Sequence, residues 1–239
     1  MKKSILLIFI ALLAAGCNGS LRTGTYSEDI AMPAYEGSED SLLLSVSLEY
    51  ADGSGSFSKA VNQAILSGAL DFEGWEGTVE QAAGAYRENL IDEYLTDNSG
   101  QEATTWEDRI TGTFSGGCRG WKNYVLTYYS YRGGPHGIQT VSPIVFDRKG
   151  HVVTEEDLFA EGWRGPVSEL LRSSVLSSME KEDPELAGLV EAELIGPNGN
   201  FSVNPDGIEW IFQPYEVGPY ALGIVSATLS WKQLKPYLK

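Results

Sequence analysis

The segment from Trp121 to Arg132 restricts the fold more than any other. Read as an extended chain, it places Trp121, Tyr129 and Tyr131 on one face and Tyr124 and Tyr128 on the other. Aromatic side chains on both faces suit a central strand that is covered on both sides, where most of them form core. Such a strand needs partners. Trp106 to Phe114 reads as one, joined to it through the turn Gly116-Gly117-Cys118-Arg119-Gly120, and Ile138 to Asp147 reads as another.

The rest of the chain groups its elements. From Leu42 to Tyr50 apolar residues alternate with Ser45, Ser47 and Glu49, the pattern of a half-buried strand. Asp52 to Gly55 then turns into a helix carrying Phe57, Val61, Ala64 and Ile65, with Ser56 as the expected N-cap. A second helix starts at Thr78, whose pairing with Gln81 is a capping box. Further on, Thr154 to Asp157 caps a short helix, Pro166 is expected at the first position of a longer one, and Asp183-Pro184 opens another that runs through Leu194. Phe201 to Phe212 reads as a hairpin about Pro205-Asp206-Gly207, and Tyr220 to Leu229 as a last strand before a terminal helix capped by Ser230. Strands and helices in groups predict an α+β fold: antiparallel sheets with helices packed against them, in two similar-sized subdomains.

The N-terminus has the parts of an export signal. Lys2 and Lys3 precede an apolar run from Ile5 to Leu13, which is shorter than the ~20 residues of a membrane-spanning helix. Small residues follow, and Leu13 to Cys17 resembles the bacterial lipobox, with Ala14 where leucine is usual. Residues 1–16 are therefore expected to be a lipoprotein signal peptide, and 17–40 a lipidated Cys17 with a flexible, partly disordered tether. An ordinary signal peptide with a chance cysteine is the competing reading. Asn18 is not the aspartate associated with inner-membrane retention, which points to the cell envelope and to the outer membrane or periplasmic face within it.

With Cys17 consumed, Cys118 is the one thiol left, so no internal disulfide is available. The chain has 17 basic and 33 acidic residues, a net −16. Removing Lys2 and Lys3 leaves 15 basic against 33 acidic, or −18. That charge repels nucleic acid and anionic lipid and favours cationic partners, although solubility alone also accounts for it.

The segment Tyr128-Tyr129-Ser130-Tyr131-Arg132-Gly133-Gly134-Pro135-His136-Gly137, followed by Phe146 to Gly150 and Asp157-Leu158-Phe159, resembles the RsiV-like family of envelope domains. The likeness resumes at Phe201 and includes Pro214-Tyr215-Glu216-Val217-Gly218-Pro219-Tyr220-Ala221. It implies residues 41–137 as an N-terminal subdomain like that of PdaC-type peptidoglycan deacetylases and 138–239 as a C-terminal RsiV-like subdomain. In RsiV, a membrane-bound anti-sigma factor, the exported part binds lysozyme. The resemblance thus implies binding, with no catalytic residue to carry over.

Two candidate binding segments follow. His136 lies in a glycine-rich turn, where Gly133, Gly134 and Gly137 allow close backbone approach to a ligand; the alternative is a turn whose glycines only supply unusual dihedrals. Tyr215, Glu216 and Tyr220 lie where Pro214, Gly218 and Pro219 prevent regular structure. They suit a surface for sugars or a basic protein, or else a corner in which tyrosine hydroxyls satisfy loop backbone. Two histidines fifteen positions apart, His136 and His151, and one thiol give no zinc spacing, so no metal or cofactor is expected. No phosphate loop or nucleophile elbow occurs either.

The expected function is that of a membrane-anchored, monomeric binding module for lysozyme-like proteins or cell-wall glycan. A hydrolase of envelope polysaccharide and a purely structural lipoprotein are the alternatives.

Overall fold

The structure is a computed structural model that describes residues 21–99 and 103–239. The signal segment and Cys17 lie outside the described residues. No helix among the described residues is long and apolar enough to cross a membrane.

The alternation at residues 42–50 becomes strand β2 (Ser41–Ala51), with Leu42, Leu44, Val46 and Leu48 buried. Helix α1 (Ser56–Leu70) buries Val61, Ile65 and Leu66, and helix α2 (Val79–Asp97) buries Ala82, Ala83, Leu90 and Tyr94. Both helices pack on β2. The Thr78–Gln81 capping box forms as expected. The cap of α1 is Gly55 rather than Ser56, and no side chain bonds there.

The chain then enters β3 (Trp106–Ser115), β4 (Lys122–Arg132) and β5 (Ile138–Phe146). With β1 (Thr23–Pro33) at one edge, a five-stranded sheet has the order β1-β2-β3-β4-β5, so the aromatic segment is indeed an interior strand. The α+β fold with helices packed against its sheets is the one expected; within this sheet one pair departs from the antiparallel arrangement, since β2 and β3 run parallel, Leu42 opposite Trp106 and Leu44 opposite Asp108. The cause is the intervening helix pair. A tight turn can only reverse a strand, whereas a crossover through α1 and α2 returns the chain to enter from the same end.

β1 (Thr23–Pro33) is the larger correction, because it falls in the stretch expected to be a flexible tether. It pairs antiparallel with β2 over its whole length, from Thr23 opposite Ala51 to Pro33 opposite Ser41. Its inward residues are Tyr26, Glu28, Ile30 and Met32. A charged residue among them hides the alternation. Glu28 is buried because Tyr26 donates to one carboxylate oxygen at 2.7 Å and Arg87 of α2 to the other at 2.6 Å. Gly24 is required too, since a Cβ there would meet the Tyr50 ring.

Asp108 is the other charge on that inner face and is fully buried. Arg132 grips it with both terminal nitrogens, at 2.6 and 2.8 Å, and the hydroxyls of Tyr86 and Tyr128 donate at 2.9 and 3.2 Å. Burial and then the charge of Asp108 push the Tyr86 phenol far above its ordinary range, so it stays a donor. Arg132 also stacks over Trp106, 4.6 Å from the ring centre.

The second sheet, β6 (Phe201–Val203), β7 (Gly207–Phe212) and β8 (Val225–Ser230), is antiparallel and follows the expected hairpin. Helix α3 (Glu155–Leu158) has the expected capping box, and α4 (Arg164–Glu182) buries Val167, Leu171 and Val175. Pro166 is the third residue of α4 rather than the first. Helix α5 (Pro184–Ala187) is one turn long, and Ala192–Leu194 forms a separate 3-10 turn, where one continuous helix was expected. Tyr220 lies in another 3-10 turn instead of opening β8. Helix α6 (Trp231–Leu234) carries the Ser230 capping box. Val167, Leu171 and Val175 share a core with Phe159, Trp163, Phe201, Trp210, Phe212 and Leu229.

Two compact units result. One comprises the described residues to Thr113 with Leu126–Ile138, and the other comprises Phe114–Val125 with Gln139–Lys239. Asp108→Ala should cost ~3–5 kcal/mol in urea unfolding, because Arg132 would be left charged without its partner. Removing the exposed Arg22–Asp52 pair with Arg22→Ala should cost less than ~1 kcal/mol. Equal losses from the two changes would contradict this account.

Candidate functional site

The loop after β7 begins where Gln213 leaves the sheet. Its side chain imitates a strand partner for β5, accepting from the Val141 N–H at 3.0 Å and donating to the Val141 carbonyl at 2.7 Å. Glu216 then folds back. One of its oxygens accepts from the Gln213 N–H at 2.7 Å, and the other accepts from Asn198 Nδ2 at 2.7 Å. Asn198 and Asn200 both donate to the Ile211 carbonyl at 2.9 Å, so the 198–200 segment and the loop brace one another. Gly218 is needed for this closure, since a Cβ would stand 2.6 Å from the Leu189 carbonyl oxygen.

Tyr215 is carried at the turn of the loop with φ +71°, a left-handed conformation that costs a residue with a Cβ ~1–2 kcal/mol. Its side chain is 56% exposed and Tyr220 is 36% exposed. The two rings lie 5.5 Å apart at 37°. Of the three residues expected to bind here, two tyrosines thus form an outward pair. Glu216 has both carboxylate oxygens engaged within the loop and its brace, and so positions that pair.

The loop is in turn held from the core. Glu155 is 2% exposed, and one of its oxygens accepts from Trp210 Nε1 at 2.7 Å and from the Gly199 N–H at 3.1 Å. Arg164 reaches its other oxygen at 3.2 Å. Sequence reasoning placed Glu155 only in a capped helix. The signal for more was an acid at a helix start preceding a tryptophan hairpin, which is too common a pattern to single out.

The glycine-rich turn lies in the other unit. Gly133 has φ +79°, and a Cβ there would stand 2.8 Å from Thr104. Gly137 is buried, and a Cβ there would overlap the Tyr129 ring. Tyr129 itself carries Arg109 over its face at 4.3 Å. At Gly134 the nearest atom a Cβ would meet is 3.9 Å away. His136 is exposed, and its Nδ1 lies 3.1 Å from the Gly137 carbonyl oxygen. The Asp108–Arg132 pair fixes the point where this turn leaves β4. The candidate residues Gly133, Gly134, His136 and Gly137 therefore share one unit, and Tyr215, Glu216 and Tyr220 share the other.

A cleft of about 920 Å³ lies in the first unit, lined by Tyr50, Asp52, Lys59, Trp75, Glu76 and Glu80 among others. Its acids are poor candidates for acid–base chemistry. Asp52 pairs with Arg22 at 2.8 Å, Glu76 is exposed, and Glu80 lies against the Tyr50 hydroxyl, whose pKa is raised mainly by burial. None is isolated among apolar side chains as a general acid needs to be. Burial likewise pushes the Cys118 thiol up, and its sulfur donates to the Asn204 carbonyl at 3.2 Å, so it is a weak nucleophile. Among the described residues no group of three His, Cys, Asp or Glu side chains is arranged to hold a metal.

Residues 156–232 match the model of a family described as a protein of unknown function, DUF3298. No curated protein matches the chain. Two solved structures share the fold. A DUF3298 family member from Bacteroides fragilis has a TM-score of 0.81 at 19% identity, covering 92% of this chain and 94% of that one. A DUF3298 family protein from Pseudomonas aeruginosa has a TM-score of 0.67 at 14% identity, covering 92% and 95%. The family match includes Glu155's neighbours in α3, the hairpin and the tyrosine loop.

If Glu216 shapes the loop and Tyr215 is strained by it, their substitutions should separate. Glu216→Ala should cost ~1–3 kcal/mol and speed hydrogen exchange at the Gln213 amide. Tyr215→Gly relieves the left-handed conformation while losing ring contacts, and stability should stay within ~1 kcal/mol of the parent. A large loss at Tyr215 with none at Glu216 would reverse the assignment.

Proposed function

We propose that this is a lipid-anchored protein of the cell envelope whose folded part binds a cationic protein of the lysozyme type through the Tyr215–Tyr220 loop. One observation carries the reading: two adjacent exposed tyrosines are held on a braced loop, one of them in a left-handed conformation. Tyrosine offers a wide contact surface for little loss of side-chain freedom, which is why it recurs at the centres of interfaces. The net charge of −16 supports a cationic partner, since complementary fields speed encounter over a distance. Anchoring is assigned to Cys17, and the outer membrane is the favoured location.

Affinity for lysozyme, measured across a salt series, tests the partner. Binding should weaken as salt rises. Tyr215→Ala and Tyr220→Ala should each cost ~1–3 kcal/mol, mostly through faster dissociation, whereas neutralising exposed acids such as Glu73 and Glu76 should mainly slow association. His136→Ala tests the glycine-rich turn separately. Folded tyrosine variants that bind as tightly as the parent would remove the loop from the proposal. Capture of peptidoglycan fragments without lysozyme would replace the protein partner with glycan.

The anchor has its own test. Cys17→Ser should abolish incorporation of labelled fatty acid and release the protein from the membrane fraction. A variant that stays in that fraction would refute lipidation as the means of attachment.

A further inference from the structure

Carboxylates outnumber basic residues about two to one in this chain, so an arginine without an acid partner is conspicuous. Six of the eight arginines pair with a carboxylate: Arg22, Arg87, Arg109, Arg132, Arg164 and Arg172. The two that form no ion pair among the described residues are Arg119 and Arg148, and they come together. Gly120, at φ +91°, lies directly against the Arg148 guanidinium, and a Cβ there would stand 2.8 Å from one of its terminal nitrogens. Arg119, also left-handed at φ +53°, holds its guanidinium 4.0 Å above the Trp231 ring. Trp121 lies beside Trp231 with 6.3 Å between ring centres.

Lysines extend the patch in sequence. Lys122 follows Trp121, Lys149 follows Arg148 and Lys232 follows Trp231, and all three are exposed. Two acids lie beside these residues: Asp147, next to Arg148 in sequence, is turned into its own loop, where it accepts from the Lys149 and His151 amides at 2.7 and 2.9 Å, and exposed Asp206 accepts the Trp231 amide through its backbone carbonyl at 3.1 Å. Two half-buried tryptophans with cations around them match the headgroup region of a bilayer: indole settles at the interface, and guanidinium pairs with phosphate.

We infer that the turn at residues 116–120, the Arg148–Lys149 turn and Trp231 form a docking surface for an anionic phospholipid membrane. Charge complementarity is local. At physiological salt fields decay over ~8 Å, so the distant acids are screened when the patch touches the surface.

The full chain carrying Cys17→Ser removes the anchor from the measurement. It should co-sediment with phosphatidylglycerol-rich vesicles, less so as salt rises, and not with pure phosphatidylcholine vesicles. Arg119→Ala with Arg148→Ala should lower the partition coefficient about tenfold or more. The pair Arg119→Lys with Arg148→Lys should retain most of it. Lys59→Ala with Lys181→Ala, an equal change of charge at two other exposed positions, should leave it near the parent value. Three results would overturn the inference: no sedimentation of the Cys17→Ser chain with acidic vesicles, equal loss in the two alanine pairs, or binding to soluble polyphosphate or an acidic polysaccharide without binding to vesicles. Failure of anchoring would appear instead in the fractionation of the chain with Cys17 intact.

Discussion

The carboxylate of Glu155 organises the second unit. It is buried, and a buried charge is tolerated only when donors surround it. Trp210 from the hairpin, the Gly199 amide from the loop before it and Arg164 from α4 supply them. Gly199 is flanked by Asn198 and Asn200, which tie the segment to β7 and, through Asn198, to Glu216. The conformation of Tyr215 thus depends on contacts that begin in the core. Remove the first, and every later donor loses its fixed position.

The first unit uses the same device. Asp108 takes a bidentate arginine and two phenols, and Glu28 takes an arginine and one phenol. Apolar side chains of similar volume would often give as much stability. What the charges add is geometry. A leucine in place of Asp108 could pack in several ways, whereas Arg132 can grip a carboxylate with both nitrogens in essentially one, and Arg132 immediately precedes the Gly133–Gly137 turn.

Much of this was legible in the sequence. Local chemistry reads well because it needs no partner: the capping box at Thr78, the helix caps at Thr154 and Ser230, the alternation of β2 and the Pro205-Asp206-Gly207 hairpin are all present. What failed depended on distant partners. β1 alternates, but Glu28 occupies an inward position that becomes acceptable only once Arg87 is beside it. The helix begun at Asp183-Pro184 stops early, and the Glu191 amide goes to the Val217 carbonyl instead. β8 starts after Gly223, whose φ of +62° ends the preceding turn. Pro166 was placed at the first helical position, yet any residue of the first turn can lack an amide hydrogen, so its slot within that turn was not fixed. Of the candidate site, the tyrosine loop was legible as an irregular aromatic stretch. The positioning role of Glu216 was not, because it depends on Asn198, eighteen residues earlier.

The central claim is that the Tyr215–Tyr220 loop is a preformed contact surface. Hydrogen exchange of the full chain, with and without lysozyme, addresses it residue by residue. The account predicts that the Gln213 and Glu216 amides are already slow in the free protein, since both are hydrogen-bonded within the loop, and that lysozyme adds protection centred on residues 213–223. A loop that exchanges freely without lysozyme, or protection that falls elsewhere and leaves this loop unchanged, would contradict it.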